Sequence, residues 1–290
     1  MGLPDTRPKH ALSFDIEDWF HIVDIEGLDD PSSWDSRPSL VERRTDEILE
    51  SLRIEGLRAT FFILGWIADR HPGLVRRIAE HGHEIGSHSH WHRPVYALTP
   101  ESFREDTLHS LDAIERACGV RPSCYRAPSF SIRPGCEWAF DVLHDCGIRW
   151  DASLFPGDRG HGGYPCGDAP FLFRDAPSGR AMPELPLGLA RVGPLSACFS
   201  GGGYFRLLPY ALLSMGFRAH ERRGLPAVVY LHPRDFAPDC PRVPMPLHRR
   251  FKCFVGLAST MPKFRRLLRD YRFTTCGEVL RDAGLLCEVG

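Results

Sequence analysis

The pattern of hydrophobic and polar positions changes period repeatedly along the first half of the chain. Short apolar runs that are typical of buried strands occur at 11–16, 58–64, 82–86, 123–126 and 148–151. Between them, apolar residues recur at helical spacing, which predicts helices at about 39–55, 74–81, 99–117 and 137–145. Ser39 followed by Glu42 predicts a capping box at the first of these helices. Such alternation indicates a parallel sheet covered by helices.

The second half of the chain interrupts this alternation. Glycine and proline are frequent between 155 and 203, where we predict loops and short hairpins. Beyond them we predict that 204–223 is helical after Pro209, that 227–231 is a strand and that 261–270 is a final amphipathic helix. The simplest architecture is an α/β fold, a distorted or incomplete (β/α) barrel with parallel strands, plus a C-terminal extension. Functional residues are then expected at the carboxyl ends of the strands.

Composition restricts the class of protein. The 290 residues are 43% hydrophobic and 25% charged with a net charge of −1, which is ordinary for a globular chain and disfavours a general nucleic-acid binder. The first ten residues lack the apolar core of a signal peptide, and the longest uncharged apolar stretch, 207–217, is too short to span a bilayer. We therefore expect a soluble, cytoplasmic protein without a transmembrane segment. Ten cysteines without a Cys-x-x-Cys pair predict free thiols.

Charge is distributed unevenly along the chain. Residues 1–50 contain thirteen acidic and five basic side chains, whereas residues 242–272 contain nine Lys/Arg and one acid, Asp270. The plain interpretation of the basic segment is a solvated helix face with loops. The alternative is a contact surface for an anionic glycan, a lipid carrier or a membrane.

Candidate chemistry is concentrated at two strand ends. In SFDIEDWF, Asp15, Glu17 and Asp18 crowd the end of the first strand, and like charges this close require a positive partner. His88 and His92 lie four residues apart beyond another strand, so on a helical turn they can hold one metal ion. Two imidazoles and one carboxylate form an open site for zinc or another divalent ion. We therefore predict that the positive partner is a metal ion. The ring of the intervening histidine points elsewhere and is not expected to bind it.

Two further strand ends fit the same chemistry. Arg126 either makes an ordinary salt bridge or orients a carboxylate base and holds it ionised. His232, in YLHP, is either a general acid or a capping or core histidine. Trp19 flanks the first motif, and its ring suits either stacking on a sugar or packing in the core.

These motifs, in this order, resemble those of the polysaccharide deacetylases of carbohydrate esterase family four. The matching stretches, within residues 11–235, are SFDIED, HSHWH, RAPSF, RWDASLFP and YLHP. FDIEDWFH, SGGGYFRLLPY and the tail HRRFKCFVG…FRRLLRDYRFTT resemble a bacterial subgroup encoded with exopolysaccharide and exosortase systems. The resemblance implies a catalytic domain over 1–235 and a C-terminal extension over 236–290 packed on it.

The resemblance also implies roles for single residues. Asp15 resembles the catalytic base of the family, and Arg126 matches the arginine that tethers it. His232 matches the general acid, and Asp151 matches the acidic residue that tunes this histidine. The substrate-binding set comprises Leu231, which matches a lining residue of the acetate pocket, and three residues beside the motifs: Ala127, Pro128 and Trp19.

The metal ligands follow the family with one departure. His88 and His92 match the metal-binding histidines, but Ile16 stands where most of the family has a second aspartate on the metal. Residues two apart on a strand point the same way, so Glu17 can join Asp15 in the site. Asp18 would do so only if the chain turns there. We favour Glu17 as the ligand and keep Asp18 open.

The implied reaction is metal-dependent removal of N-acetyl groups from amino sugars of a bacterial polysaccharide or its lipid-linked precursor. A backbone N–H near Ala127 is expected to help stabilise the oxyanion. The alternatives are an amidohydrolase acting on a small amide or ureide, and a catalytically inactive glycan-binding module. The expected partner is an N-acetylated glycan, with peripheral membrane contact through residues 242–272 as a further option.

Overall fold

A nine-stranded, mostly parallel sheet forms the centre of the fold. The computed structural model describes residues 7–23, 25, 27–28, 30–157, 162–192 and 195–287. The strands are β1 (His10–Ile16), β2 (Thr60–Ile63), β3 (Glu84–Ser87), β4 (Cys124–Tyr125), β5 (Trp150–Asp151), β6 (Phe171–Phe173), β7 (Met182–Glu184), β8 (Leu189–Val192), β9 (Leu195–Cys198), β10 (Val228–Leu231) and β11 (Phe273–Thr274). β8 and β9 form a separate hairpin.

The order of the strands defines an incomplete barrel. They run β10-β1-β2-β3-β4-β5-β7-β6, and β11 also pairs with β1. Every neighbouring pair from β10 to β7 is parallel, whereas β6 and β7 are antiparallel. Within the described ranges, the two outer strands do not pair with each other, so the sheet does not close. The predicted α/β class and the incomplete barrel are confirmed.

Helices follow most of the parallel strands, as the periodicity predicts. They are α1 (Val41–Glu55), α2 (Gly65–Arg70), α3 (Pro72–Glu80), α4 (Pro100–Cys118), α5 (Trp138–Asp145), α6 (Gly202–Leu207), α7 (Tyr210–Arg222), α8 (Leu247–Phe254), α9 (Leu257–Asp270) and α10 (Cys276–Asp282). The helix predicted after Pro209 is α7, and α6 precedes it as a separate short helix. Pro209 lacks an N–H, and Leu208 before it is extended with ψ 137°, so the helix breaks there.

The C-terminal segment is integrated into the sheet. We predicted one helix at 261–270, but the structure adds α8, β11 and α10 and begins α9 at Leu257. His10 of β1 pairs with Phe273 of β11, and the Gly277 backbone N–H donates to the Glu84 carboxylate at 3.0 Å. A two-residue strand and helices of seven or eight residues carry too little periodicity to be recognised in a sequence. In the part of the chain that the structure describes, no helix combines the length and apolar character needed to cross a membrane.

The N-terminal end of β1, which lies opposite the acidic motif, is packed in the core. All seven residues of β1 are buried. The His10 ring packs against Phe217, Tyr271 and Phe273, and its Nδ1 accepts a hydrogen bond from the Ala227 N–H at 3.0 Å. Burial, with smaller contributions from nearby positive groups, lowers the pKa of His10 to about 3.

This buried neutral histidine predicts acid sensitivity of the fold. Between pH 6.5 and 3 the unfolded chain binds a proton at this position that the folded chain does not bind, so stability falls as the pH falls. We expect His10 to contribute a loss of about 1.4 kcal/mol in the free energy of unfolding per pH unit. Urea unfolding at about pH 7, 6 and 5 measures this slope. His10→Asn keeps an acceptor for Ala227 and should flatten the slope; an unchanged slope would contradict the assignment.

Candidate metal centre and active site

A buried ion pair lies where β1 ends. Asp15 Oδ1 accepts a hydrogen bond from Arg126 Nη1 at 2.8 Å, and both side chains are almost wholly inaccessible. The same Nη1 donates to Ser13 Oγ at 2.8 Å, and Arg126 Nε donates to the Ala152 carbonyl at 3.2 Å. The guanidinium also covers the Phe62 ring at 4.1 Å. These contacts compensate the cost of burying two charges and fix the orientation of Asp15.

Three side chains form a candidate metal centre beside this pair. Glu17, His88 and His92 each offer a ligand atom, and these atoms lie within 4.8 Å of one another. Glu17 Oε2 approaches His92 Nε2 to 2.5 Å, yet this buried oxygen has no hydrogen-bond partner of suitable geometry among the described residues. His88 Nδ1 bonds to the Arg126 carbonyl oxygen at 2.8 Å, which directs Nε2 away from that carbonyl. A divalent cation fits this arrangement, because it would give the buried Glu17 oxygen a partner and could be bound by a ring nitrogen of each histidine.

The charge state of Glu17 agrees with this arrangement. Burial alone would raise the pKa of its carboxyl, but the nearby His92 imidazole acts in the opposite direction. His232 and His88 add to the effect, so the pKa of Glu17 lies far below its usual range. The carboxylate is therefore ionised and available as a ligand.

Asp18 has a different task, which separates it from Glu17. Its carboxylate accepts from Ser39 Oγ at 2.5 Å, from the Leu40 N–H at 3.0 Å and from the Val41 N–H at 3.2 Å. It thereby caps α1, whose first N–H groups have no partners within the helix. The predicted capping box of Ser39 and Glu42 is wrong, because the Ser39 hydroxyl donates to Asp18 instead.

The turn that contains the two histidines is not helical, contrary to our expectation. Ser89 and His92 have positive φ angles of 65° and 54°. This strained backbone is held by the Asp106 carboxylate, which accepts from the His90 and Trp91 N–H groups at 2.8 and 3.1 Å. Asp106 lies on α4, and the sequence carries no local sign of this long-range contact.

His90 itself lies outside the Glu17 group. Its ring stacks on His109 with centroids 3.5 Å apart and planes 9° apart, and with Asp69 the two rings form a second cluster of candidate ligands. Arg116 donates to Asp69 at 3.0 Å. Because the imidazole planes are parallel, one cation cannot lie in both planes without rotation of a ring.

His232 faces the acidic strand end from β10. Its Nε2 lies 3.8 Å from Asp15 Oδ2 and 3.6 Å from Glu17 Oε1, and its Nδ1 lies 3.0 Å from Asp235 Oδ2. Burial would lower the pKa of His232, but the hydrogen bond and charge of Asp235, together with the two site carboxylates, raise it to about 9. Asp235 is in turn paired with Arg206 at 2.8 Å.

The expectation that Asp151 tunes His232 requires a correction. Asp151 accepts from Ser153 Oγ at 2.7 Å and shares a hydrogen bond with Glu184, while Asp235 holds the imidazole. Burial, followed by the charge of Asp151, raises the pKa of Glu184 well above its usual value. Asp235 lies only three residues beyond His232, in a short 3₁₀ helix, and this proximity was the signal that sequence reasoning missed.

The predicted substrate-contacting residues do not all lie in the same surroundings. Leu231 ends β10, and Ala127 and Pro128 follow β4. The Ala127 N–H, which we expected to face an oxyanion, donates to Ser153 Oγ at 2.8 Å. Trp19 is 3% exposed and belongs to the main core cluster, where its indole N–H donates to the Pro38 carbonyl at 2.9 Å. The structure therefore places Trp19 as a core residue and leaves no ring face open for a sugar.

Two family models match consecutive parts of the chain. Residues 31–145 match the family model described as Polysaccharide deacetylase, and residues 152–281 match a Domain of unknown function (DUF3473). These two parts follow one another along the chain, and we call residues 152–281 the DUF3473 region. His88, His92 and Arg126 lie in the first, whereas Asp235 and Arg206 lie in the second.

Curated relatives match less than half of the chain. A peptidoglycan-N-acetylglucosamine deacetylase of Bacillus cereus is 33% identical over 84 residues, which cover 29% of this chain and 30% of the relative. A chitooligosaccharide deacetylase of Sinorhizobium fredii is 31% identical over 133 residues, which cover 43% of this chain and 57% of the relative. The chain thus spans well under two thirds of the length of these relatives.

Solved structures share the fold over the whole chain. A protein described as a polysaccharide deacetylase from Mycobacterium smegmatis superposes with a TM-score of 0.65 at 20% identity, covering 100% of this chain and 96% of the other. The Puue allantoinase superposes with a TM-score of 0.66 at 16% identity, covering 99% and 94%. At these identities the similarity concerns the fold alone.

Because Glu17 and Asp18 make different contacts, we expect isosteric substitutions at the two positions to have different effects. Glu17→Gln removes a charged ligand and should weaken zinc binding at least about tenfold while the protein stays folded. Asp18→Asn weakens the cap of α1 and should lower the free energy of unfolding by about 1–3 kcal/mol without changing zinc stoichiometry. Zinc titration against a chromophoric chelator and urea unfolding measure the two effects. Loss of zinc from Asp18→Asn with retention in Glu17→Gln would reverse the assignment.

Proposed function

We propose that this protein is a metal-dependent hydrolase that removes N-acetyl groups from amino sugars of a bacterial polysaccharide or its lipid-linked precursor. The proposal rests on how the candidate metal ligands, Asp15 and His232 are arranged around one point. The buried group of Glu17, His88 and His92 adjoins Asp15 with its arginine partner and, at 3.6 Å from Glu17, the imidazole of His232. A ligand set, a base and an acid around one point are what hydrolysis of an amide requires.

Glu17, His88 and His92 are the residues that would hold the divalent ion, for which zinc is the first choice because two imidazoles and one carboxylate suit it. When bound, such an ion supplies Lewis-acid polarisation of the acetyl carbonyl. The protein side of the reaction lies with Asp15 and His232.

Asp15 is the proposed general base. Its Oδ1 is occupied by the hydrogen bond from Arg126, and Oδ2 faces the site at 3.8 Å from His232 Nε2. The guanidinium holds the carboxylate in a fixed orientation, so Oδ2 can accept the proton of the attacking water.

His232 is the proposed general acid. The Asp235 carboxylate bonds to Nδ1, which leaves the proton on Nε2 directed towards the centre of the site. With a pKa raised to about 9, the imidazole carries that proton at neutral pH and can give it to the departing amine. Base and acid are thus oriented by different charged partners, Arg126 and Asp235.

The wider setting of the reaction is part of the same proposal. We place it in exopolysaccharide biosynthesis in the cytoplasm, supported by the resemblance of the FDIEDWFH motif and of the C-terminal tail to the exosortase-associated subgroup. The catalytic domain extends over 1–235, with 236–290 as an extension packed on it. The named activities of the relatives, on peptidoglycan N-acetylglucosamine and chitooligosaccharides, support an N-acetylated glycan as the substrate class.

Acetate release from chitooligosaccharides by the zinc-reconstituted protein tests the proposal. Asp15→Asn keeps the size of the side chain but removes the base, and His88→Ala removes a ligand. Each should lower kcat about 10²- to 10⁴-fold. Coupled enzymatic detection of acetate measures the rate, and the host exopolysaccharide precursor serves as a second substrate.

Three outcomes would overturn the proposal. Full activity in either variant would remove the mechanism. Absence of acetate release from every N-acetylated glycan, together with unchanged glycan binding by Asp15→Asn, would favour a binding module. Turnover of small amides or ureides alone would favour a different amidohydrolase.

The contact between Asp235 and His232 predicts a change in the pH profile of kcat. Asp235→Asn removes the charge that raises the pKa of His232, so the acid loses its proton at lower pH. We expect the alkaline limb of the profile to move towards lower pH and kcat at pH 7.5 to fall about ten- to a hundredfold. Asp151→Asn is the matched control, because Asp151 bonds to Ser153 and should leave the alkaline limb in place. The assignment fails if only Asp151→Asn moves this limb.

A further inference from the structure

Helix α8 exposes large apolar side chains to solvent. Leu247 is 81% exposed and Phe251 is 57% exposed, whereas Cys253 on the same helix is buried. At 100° per residue, Leu247 and Phe251 lie within 40° of each other and on the side of the helix away from Cys253. We call these two side chains the α8 ridge. A ridge of this kind costs solubility unless it has a partner.

Cations flank the α8 ridge on both sides. Lys252 lies on one side of the ridge and Arg250 on the other, and both are exposed. The sequence has no acidic residue between Asp239 and Asp270. An apolar ridge between basic flanks is the pattern of a helix that lies in the interface of an anionic membrane.

The exposed apolar surface extends beyond α8. Among the described residues, nine large hydrophobic side chains are the most exposed, and six of them lie between 204 and 251: Tyr204, Leu207, Leu212, Met215, Leu247 and Phe251. Helix α6, which carries the first two, packs on the carboxyl end of α8. Arg206 of α6 donates to the carbonyl oxygens of Lys252 at 2.8 Å and Cys253 at 2.9 Å.

We propose that α8, with the adjoining surface of α6, docks on an anionic membrane. The exposed aliphatic and aromatic side chains decide between a membrane and an anionic glycan. Both partners would match the basic flanks, but a glycan offers no apolar medium in which Leu247 and Phe251 can be buried. A bilayer satisfies both parts of the surface, through headgroup charge and through the boundary of the acyl chains.

The docking surface adjoins the candidate active site. Arg206 is paired with Asp235, which bonds to His232, and a Cβ at Gly202, the first residue of α6, would lie 3.9 Å from His232 Cε1. Resting on the proposed function, this position implies that the amino-sugar substrate is presented at the membrane surface, as a membrane-anchored glycan would be.

Co-sedimentation with vesicles tests the docking. The zinc-loaded protein is mixed with vesicles of phosphatidylcholine alone or with 30% phosphatidylglycerol, and the bound fraction is measured by densitometry. We expect binding to the anionic vesicles only. Leu247→Ser/Phe251→Ser should lower the partition coefficient at least about tenfold. Ile54→Ser, at a 62% exposed side chain on α1, is the matched control and should leave it unchanged.

The basic residues that flank the ridge allow a second, independent test of docking. Arg250→Gln/Lys252→Gln should also weaken binding, and raising NaCl from 0.1 to 0.5 M should weaken wild-type binding because the vesicle charge is screened. Size-exclusion chromatography with light scattering of the Leu247→Ser/Phe251→Ser protein is run in parallel. Conversion of a dimer to a monomer in that variant would make the ridge a self-association surface and overturn the proposal.

Other results would also overturn it. Equal binding to neutral and anionic vesicles, or unchanged binding by the ridge variant, removes the docking role. Retention on an anionic polysaccharide resin without vesicle binding assigns the surface to a glycan. Acetate release from soluble chitooligosaccharides is measured for every variant and should equal that of the wild type, because the ridge lies outside the ligand set. Loss of docking and failure of the proposed activity are therefore read separately.

Discussion

The site depends on the buried side chain and backbone of one residue, Arg126. Its guanidinium holds Asp15 and its carbonyl oxygen holds the His88 ring, so the proposed base and one proposed ligand are oriented by the same residue. The Arg126 N–H donates to Ser87 on β3, and Nε donates to Ala152 beyond β5. Removal of one partner from a buried ion pair costs about 3–5 kcal/mol, because an uncompensated charge remains. Parallel strands β1, β3, β4 and β5 are thus tied together where the chemistry is proposed to occur.

The DUF3473 region contributes to the same site rather than standing apart from it. Asp235, which holds His232, is paired with Arg206, and Arg206 also binds the carbonyl oxygens at the end of α8. Burial of the Asp235 carboxylate is compensated first by Arg206 and then by His232, which hold its pKa well below the usual range. Arg206, in a segment for which the sequence predicted only a helix, therefore supports the proposed acid through Asp235.

Local sequence patterns predicted the parallel sheet, most of its helices and the strand ends that carry Asp15, His88, Arg126 and His232. This succeeded because strand period and strand-end chemistry are encoded in adjacent residues. Strand alternation favoured Glu17 as the ligand, but the role of Asp18 could not be predicted that way. It depends on the distant helix α1, whose N-terminus binds Asp18. The strained turn at His92 was likewise missed because Asp106, which stabilises it, is fourteen residues away on a helix.

The positive φ angles at Ser89 and His92 have a consequence for how an ion would be selected. A turn stabilised in this conformation by Asp106 already has its imidazoles in place before any ion arrives. The entropy of arranging these ligands is lost during folding, so it does not reduce the affinity of the later binding step. The ion must then adapt to a fixed spacing of ligands, which favours cations that accept low, irregular coordination numbers over those that demand a full octahedron.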